Sequence, residues 1–214
     1  MYREMVSNDW FTLLIILSIL LIAIAKSLFA SRFTDFLALV GNSKYLKIHS
    51  RDQRFLDLFD GLLFLNLTFS VALFVLLVFR HQSIGPEIDL DFFFKLAIGI
   101  GAAFLIKILV ERLVGSMFEI DSFIDAYLFQ KISYRNFIGI LLVPINVFFL
   151  YSINPSKTLV GIVIIFLLMV NIIGIVTTIK NHQKLLINNF FYFILYLCAL
   201  EISPYIILYK VIMG

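Results

Sequence analysis

Charged residues are scarce in this sequence: Asp, Glu, Lys and Arg make up only 14% of its 214 residues. Soluble domains carry about 25%. The formal net charge is only +3, so the chain lacks the extended basic surface with which proteins bind nucleic acids. The single cysteine, Cys198, excludes an intrachain disulfide.

The sequence also lacks the motifs that identify common catalytic sites. HExxH, GxSxG and the Walker lysine are absent, and the three histidines are scattered without helical spacing. Asp121 and Asp125 share a helical face and have the chemistry of metal ligands, but a solvated face is the simpler interpretation. We therefore expect no metal site and no cofactor, and we favour a non-enzymatic protein.

Hydrophobic residues, in contrast, make up 62% of the chain, and a globule of this size cannot bury so many. They form long runs of the length that crosses the roughly 30 Å hydrocarbon core of a bilayer. Such segments must satisfy their own backbone hydrogen bonds, which favours helices. We predict an all-α, polytopic bundle in one integral membrane domain, residues 1–214, with the spans 10–29, 61–79, 92–114, 137–153, 159–179 and 190–212. The intervening segment 115–136 is predicted to be a connection.

The segment 44–59 differs from the spans because its basic residues recur at helical spacing. Apolar residues, among them Tyr45 and Phe59, form the neighbouring face. This pattern predicts an amphipathic helix in the membrane interface, between the first and second spans. A docking surface for a cytoplasmic partner is the alternative interpretation. The basic stripe consists of Lys44, Lys47, Arg51 and Arg54.

Most lysines and arginines outside the predicted spans lie in the first, third and fifth connections. Cytoplasmic loops of membrane proteins are enriched in these residues. The distribution predicts that both termini lie on the non-cytoplasmic side of the membrane.

Glu201 is the most unusual residue because it lies near the middle of the last predicted span. A charged carboxylate is costly there, so the side chain is expected to be protonated, paired or directed at a wet cavity. Pro204 follows and removes a backbone hydrogen bond of the helix. The pattern is compatible with a protonated Glu201 that joins helices or with a proton-carrying site, and also with a wrongly assigned span.

The third span carries a second group of charges. Lys107 and Glu111 lie one helical turn apart and can pair, and Lys107 can also extend its amine towards the membrane surface. A pairing of Lys107 with Glu201 across the bundle is a weaker alternative.

Several other residues are candidates for helix packing. Asn66, Asn146 and Asn171 are expected to hydrogen-bond between helices, which is worth about 0.6–2 kcal/mol in membranes. Gly99 and Ala103, four positions apart, indicate a close approach of another helix.

Short motifs distributed over nearly the whole chain suggest a relationship to a known family. The motifs are Tyr2-Arg3-Glu4, Asn8-Asp9-Trp10, Gly41-Asn42-Ser43-Lys44-Tyr45, Phe59-Asp60 and Glu201-Ile202-Ser203-Pro204. The chain resembles an uncharacterised family of multi-pass inner-membrane proteins from the Bacteroidota, a domain of unknown function. The resemblance implies an inner-membrane location and no particular activity.

These observations leave different classes of function open. The expected function is a non-enzymatic scaffold or accessory subunit of an inner-membrane complex, in contact with the lipid bilayer, with other membrane or cytoplasmic proteins, or with further copies of the chain. The alternative is a small proton-coupled transporter or channel that uses Glu201. A membrane enzyme that acts on lipids ranks third, because it requires a polar cluster at one membrane face.

Overall fold

A computed structural model of the chain describes residues 9–39, 44–49, 57–82, 89–117, 121–152 and 155–181. Within these ranges the regular structure is entirely helical, which confirms the all-α class. The helices are α1 (Asp9–Leu28), α2 (Ala30–Leu37), α3 (Lys44–His49), α4 (Leu58–Gln82), α5 (Leu90–Met117), α6 (Asp121–Tyr151) and α7 (Lys157–Asn181).

Five of these helices, α1, α4, α5, α6 and α7, are long and apolar enough to cross a membrane. Each overlaps one of the first five predicted spans over nearly the whole length of that span, and together they support a polytopic helical membrane protein. The last predicted span, 190–212, lies outside the described residues.

Helix α6 is longer than the sequence pattern indicates. It begins at Asp121 and continues through Pro144 to Tyr151. The expectation of a connection over 115–136 is therefore wrong, since both ends of that segment are helical. Polar residues such as Ser133 and Asn136 lower the local hydropathy, yet both are buried against neighbouring helices.

Helices α4 and α6 form the centre of the bundle. They run in the same direction and are more buried than α1, α5 and α7, which surround them. Gly139 of α6 lies so close to α4 that a Cβ atom there would be 2.7 Å from the Cα of Leu67. The absence of a side chain at Gly139 therefore permits the closest contact of the central pair.

Helices α2 and α3 pack against one end of this bundle and contribute to its core. Phe36 and Tyr45 are fully buried, with ring centroids 5.4 Å apart, and Phe36 also contacts the ring of Phe59 at 5.7 Å. The predicted segment 44–59 is thus helical over Lys44–His49, but Phe59 belongs to α4. Its expected lipid-facing residues Tyr45 and Phe59 face the protein interior, because neighbouring aromatic rings cover them.

Candidate functional site

Charged and polar side chains concentrate at the end of the bundle where α4 and α6 begin. We call this layer the charged end, and its side chains are contributed by five different helices, α2 to α6, and by the residue that precedes α4. At the opposite end Tyr151 is hydrogen-bonded to Thr12 at 2.6 Å and Arg80 lies over the ring of Phe11. The charged end is defined by Arg32, Tyr45, Asp57, Asp60, Glu111 and Lys131.

Arg32 joins α2 to the beginning of α4. Asp57 directly precedes α4 and Asp60 lies in its first turn, so both carboxylates point towards the same side of the helix. Arg32 donates to Asp57 through Nη1 and to the Oδ2 of Asp60 through Nη2 at 2.8 Å. Its guanidinium carbon also lies 4.6 Å from the ring centroid of Phe59. The Arg32 side chain is 13% exposed and that of Asp60 16%, so their contact is largely shielded from solvent, whereas Asp57 is 43% exposed.

The environment of this cluster fixes the charge state of its extramembrane members. Burial raises the pKa of Tyr45, and the negative charge of Asp60 raises it further, which outweighs the opposite influence of Arg32. Burial lowers the pKa of Arg32, but Tyr45 and Asp60 more than offset that effect, so the net pKa is raised. Tyr45 is therefore neutral and Arg32 charged at physiological pH.

Weaker hydrogen bonds connect α6 to the elements around it. The Nδ2 of Asn136 donates to the backbone carbonyl of Asp60 at 3.4 Å. The Tyr134 hydroxyl lies 3.4 Å from the Oγ1 of Thr177 and 3.5 Å from the carbonyl of Leu39. Helix α6 thus contacts α4, α7 and the segment that follows α2 within one layer.

A second ion pair links α5 to α6. The Nζ of Lys131 lies 2.7 Å from the Oε1 of Glu111, and these side chains are 10% and 0% exposed. Lys131 also lies 5.3 Å from the ring centroid of Tyr127. The Oε2 of Glu111 is buried and has no hydrogen-bond partner among the described residues. Sequence spacing predicts Lys107 as a partner for Glu111. In the structure Lys131 pairs with Glu111, and Lys107 is half-buried.

Two of the predicted asparagines lie in a buried polar chain between α4 and α6. The Nδ2 of Asn146 donates to the carbonyl of Ser70 at 2.9 Å, and the Ser70 hydroxyl donates to the Oδ1 of Asn66 at 3.5 Å. Asn66 and Asn146 are both buried. Asn146 therefore joins the central pair of helices in the middle of the bundle, as expected, whereas the described hydrogen bond of Asn66 lies within α4.

The remaining predicted packing residues lie nearer the surface. Gly99 and Ala103 are exposed, and a Cβ atom at Gly99 would have no described neighbour within 4 Å. Asn171 is half-buried on α7. Asp125 forms an exposed ion pair with Arg112 at 3.5 Å.

Several predicted site residues fall outside the part of the chain that the structure describes. Glu201 and Pro204 are among them, as are Arg51 and Arg54 of the basic stripe. Lys44 and Lys47 lie on α3.

The ion pairs of the charged end were not recognised in the sequence. Arg32 contributed only to the prediction of membrane orientation, and Lys131 was assigned to a connection. The spacing of Asp57 and Asp60 at the start of an apolar run was the available signal, because it places two carboxylates on one side of a first helical turn. Nothing local indicates that Arg32 is their partner.

A family model, described as a domain of unknown function (DUF4271), matches residues 11–212. The chain matches no curated protein and no solved structure. Because the family match extends over almost the whole sequence, this chain belongs to the DUF4271 family.

Proposed function

We propose that this protein is a non-enzymatic scaffold or accessory subunit of a complex in the bacterial inner membrane, of the type found in the Bacteroidota. Both termini lie on the non-cytoplasmic side in this proposal, which places the charged end on the cytoplasmic side. The observation that carries it is the attachment of α2 to α4 by Arg32.

The geometry of this attachment supports a structural role. Arg32 bridges two carboxylates, and Lys131 pairs with Glu111, so each of these buried cations joins separate helices. Breaking a buried ion pair costs about 3–5 kcal/mol, because one charge is then left without a partner. Such pairs hold α2 against α4 and α5 against α6, as a scaffold requires.

The attachment also fixes a surface that a partner protein can bind. We call the outer side of α2 and α3 the platform. Leu37 of α2 and Ile48 of α3 expose 47% and 46% of their surface there, while Phe36 and Tyr45 of the same helices are buried. Apolar side chains on a fixed support bind a partner without the cost of ordering a loop.

Site-specific cross-linking in native membranes tests this function. A photoreactive residue replaces Leu37 or Ile48 in the platform, and Ile165 on the exposed side of α7 serves as the matched control. We expect the platform positions to label one recurring protein partner, with Ile165 labelling mainly lipid. Equal labelling of lipid at all three positions would contradict the proposal.

A second candidate function is a small proton-coupled transporter or channel. The observation in its favour is Glu111, a fully buried carboxylate with one oxygen that lacks a described hydrogen-bond partner. Ionisable residues inside membrane helices commonly mark ion and proton pathways. In this alternative the proton-carrying residue is Glu201, in the last predicted span with Pro204, and Glu111, with Lys107 one helical turn away, is a second polar position along the pathway.

Proton flux into proteoliposomes distinguishes the two functions. Under the transporter hypothesis, purified protein acidifies a vesicle interior when a pH gradient is applied, and Glu111→Gln or Glu201→Gln abolishes the flux. The scaffold function predicts the same slow leak for the wild type, both variants and empty vesicles.

A further inference from the structure

Arg135 is a half-buried cation that takes no part in the ion pairs described for the charged end. It lies on α6 at the level of the first turn of α4, since its neighbour Asn136 donates to the Asp60 carbonyl. The side chain is half-buried, and its Nη1 is buried without a hydrogen-bond partner among the described residues. An arginine at this depth is costly unless an anion or polar group accepts its hydrogen bonds.

The described contact of the Arg135 guanidinium is aromatic. Its central carbon lies 4.8 Å from the ring centroid of Phe104 on α5. A cation–π contact does not accept hydrogen bonds from the guanidinium as an oxygen would, and Nη1 has no described hydrogen-bond partner. Phe104 therefore orients Arg135 but does not satisfy its hydrogen-bonding capacity.

The buried carboxylates of the charged end pair with other cations, and their second oxygens, Oε2 of Glu111 and Oδ1 of Asp60, have no hydrogen bond to Arg135 or to any other described residue. Glu111 accepts from Lys131 at 2.7 Å, and Asp60 accepts from Arg32 at 2.8 Å. The anion that complements Arg135 is therefore best supplied from outside these pairs.

We propose that Arg135 binds the phosphate group of an anionic phospholipid at the lipid-facing edge between α5 and α6. Phe104, Lys107 and Arg135 are each half-buried, so this edge is partly open to its surroundings. The planar fork of an arginine matches two phosphate oxygens, and Lys107, one turn along α5, adds positive charge. Basic side chains between membrane helices near the surface are typical binding sites for anionic headgroups.

Lipid retention measured on the whole protein tests the proposal. The protein is reconstituted in vesicles of equal parts phosphatidylcholine and phosphatidylglycerol, extracted in mild detergent, and analysed by native mass spectrometry for bound lipid. We expect the wild type to retain phosphatidylglycerol preferentially and Arg135→Gln to lower that preference about tenfold. Arg112→Gln removes the same charge from an exposed position at the same end, and we expect it to change the preference by no more than about twofold.

The outcomes that overturn the proposal are equally specific. Equal preference in wild type and Arg135→Gln, or an equal loss in Arg112→Gln, excludes a site at Arg135. Glu201→Gln is expected to leave the preference unchanged. A gain would contradict the proposal, because Glu201 and not a lipid phosphate would then be the anion that complements Arg135. If Arg135→Gln does not yield folded protein, Arg135→Lys is measured instead, with a smaller loss expected because lysine lacks the planar fork. Retention by Arg135→Lys equal to that of the wild type would then refute the site.

Discussion

The ion pair between Glu111 and Lys131 permits a quantitative test of how burial controls the stability of this bundle. Lys131→Met leaves the fully buried Glu111 carboxylate without its cation, which we expect to lower the free energy of unfolding by about 3–5 kcal/mol. The double variant Glu111→Leu with Lys131→Met removes both charges, and we expect its loss to be no more than about 2 kcal/mol. The two substitutions are therefore strongly non-additive.

Helix α5 provides a matched control at its other end. Lys95 and Asp91 approach to 2.6 Å, almost the same distance as the buried pair, but their side chains are 73% and 70% exposed. An exposed pair contributes little, so Lys95→Met is expected to change the unfolding free energy by less than about 1 kcal/mol. The comparison separates the effect of burial from that of distance.

The assay is reversible unfolding in mixed micelles, in which denaturing detergent is titrated and helix content is followed by circular dichroism. If Lys131→Met costs no more than Lys95→Met, the argument from burial is refuted. If the double variant loses as much stability as the sum of its single variants, Glu111 and Lys131 do not act as a pair.

Three further predictions concern packing, pH and interhelical hydrogen bonds. Gly139→Ala places a Cβ atom 2.7 Å from the backbone of α4 and is expected to lower the free energy of unfolding by about 1–3 kcal/mol in the same assay. The control Gly161→Ala places a Cβ atom with no described neighbour within 4 Å and is expected to be neutral or stabilising. Because the pKa of Tyr45 is raised in the folded protein, the unfolding free energy is expected to fall as pH rises above about 10, where tyrosine ionises in the unfolded chain. The unfolding free energy of Tyr45→Phe is expected to fall less steeply with pH, and equal slopes for the two proteins would contradict this prediction. Asn146→Ala breaks a 2.9 Å hydrogen bond to α4 and is expected to lower the free energy of unfolding by about 0.6–2 kcal/mol. Asn171→Ala, at a half-buried position, serves as a control with a smaller expected loss. Equal losses would show that the Asn146 hydrogen bond does not stabilise the central pair of helices.

The helical architecture could be predicted from the sequence because hydropathy is a local property. An apolar run of sufficient length specifies a membrane-crossing helix whatever its neighbours are. The same criterion failed for the first half of α6, where Ser133 and Asn136 are polar in sequence but buried in the fold. Hydropathy describes how polar a residue is, but it contains no information about the residue on another helix with which that side chain will pack or hydrogen-bond.

The charged end could not be predicted for a related reason. Arg32 and Asp57 are separated by 25 positions, and Glu111 and Lys131 by 20, so helix periodicity contains no information about either pair. Tyr45 illustrates the same limit: its spacing fits an interfacial helix, but the rings of Phe36 and Phe129 cover it. Only the relative position of whole helices determines these contacts.

The central claim is that Arg32 holds the platform in place for a protein partner. The most direct measurement is the mass of the tagged chain and its bound proteins after isolation from native membranes in mild detergent, for the wild type and for Arg32→Gln. We predict that the wild type is isolated with a stoichiometric partner and that Arg32→Gln, still folded by circular dichroism, loses that partner. A wild-type protein isolated as a monomer without a partner, or an Arg32→Gln variant that retains the partner fully, would contradict the claim.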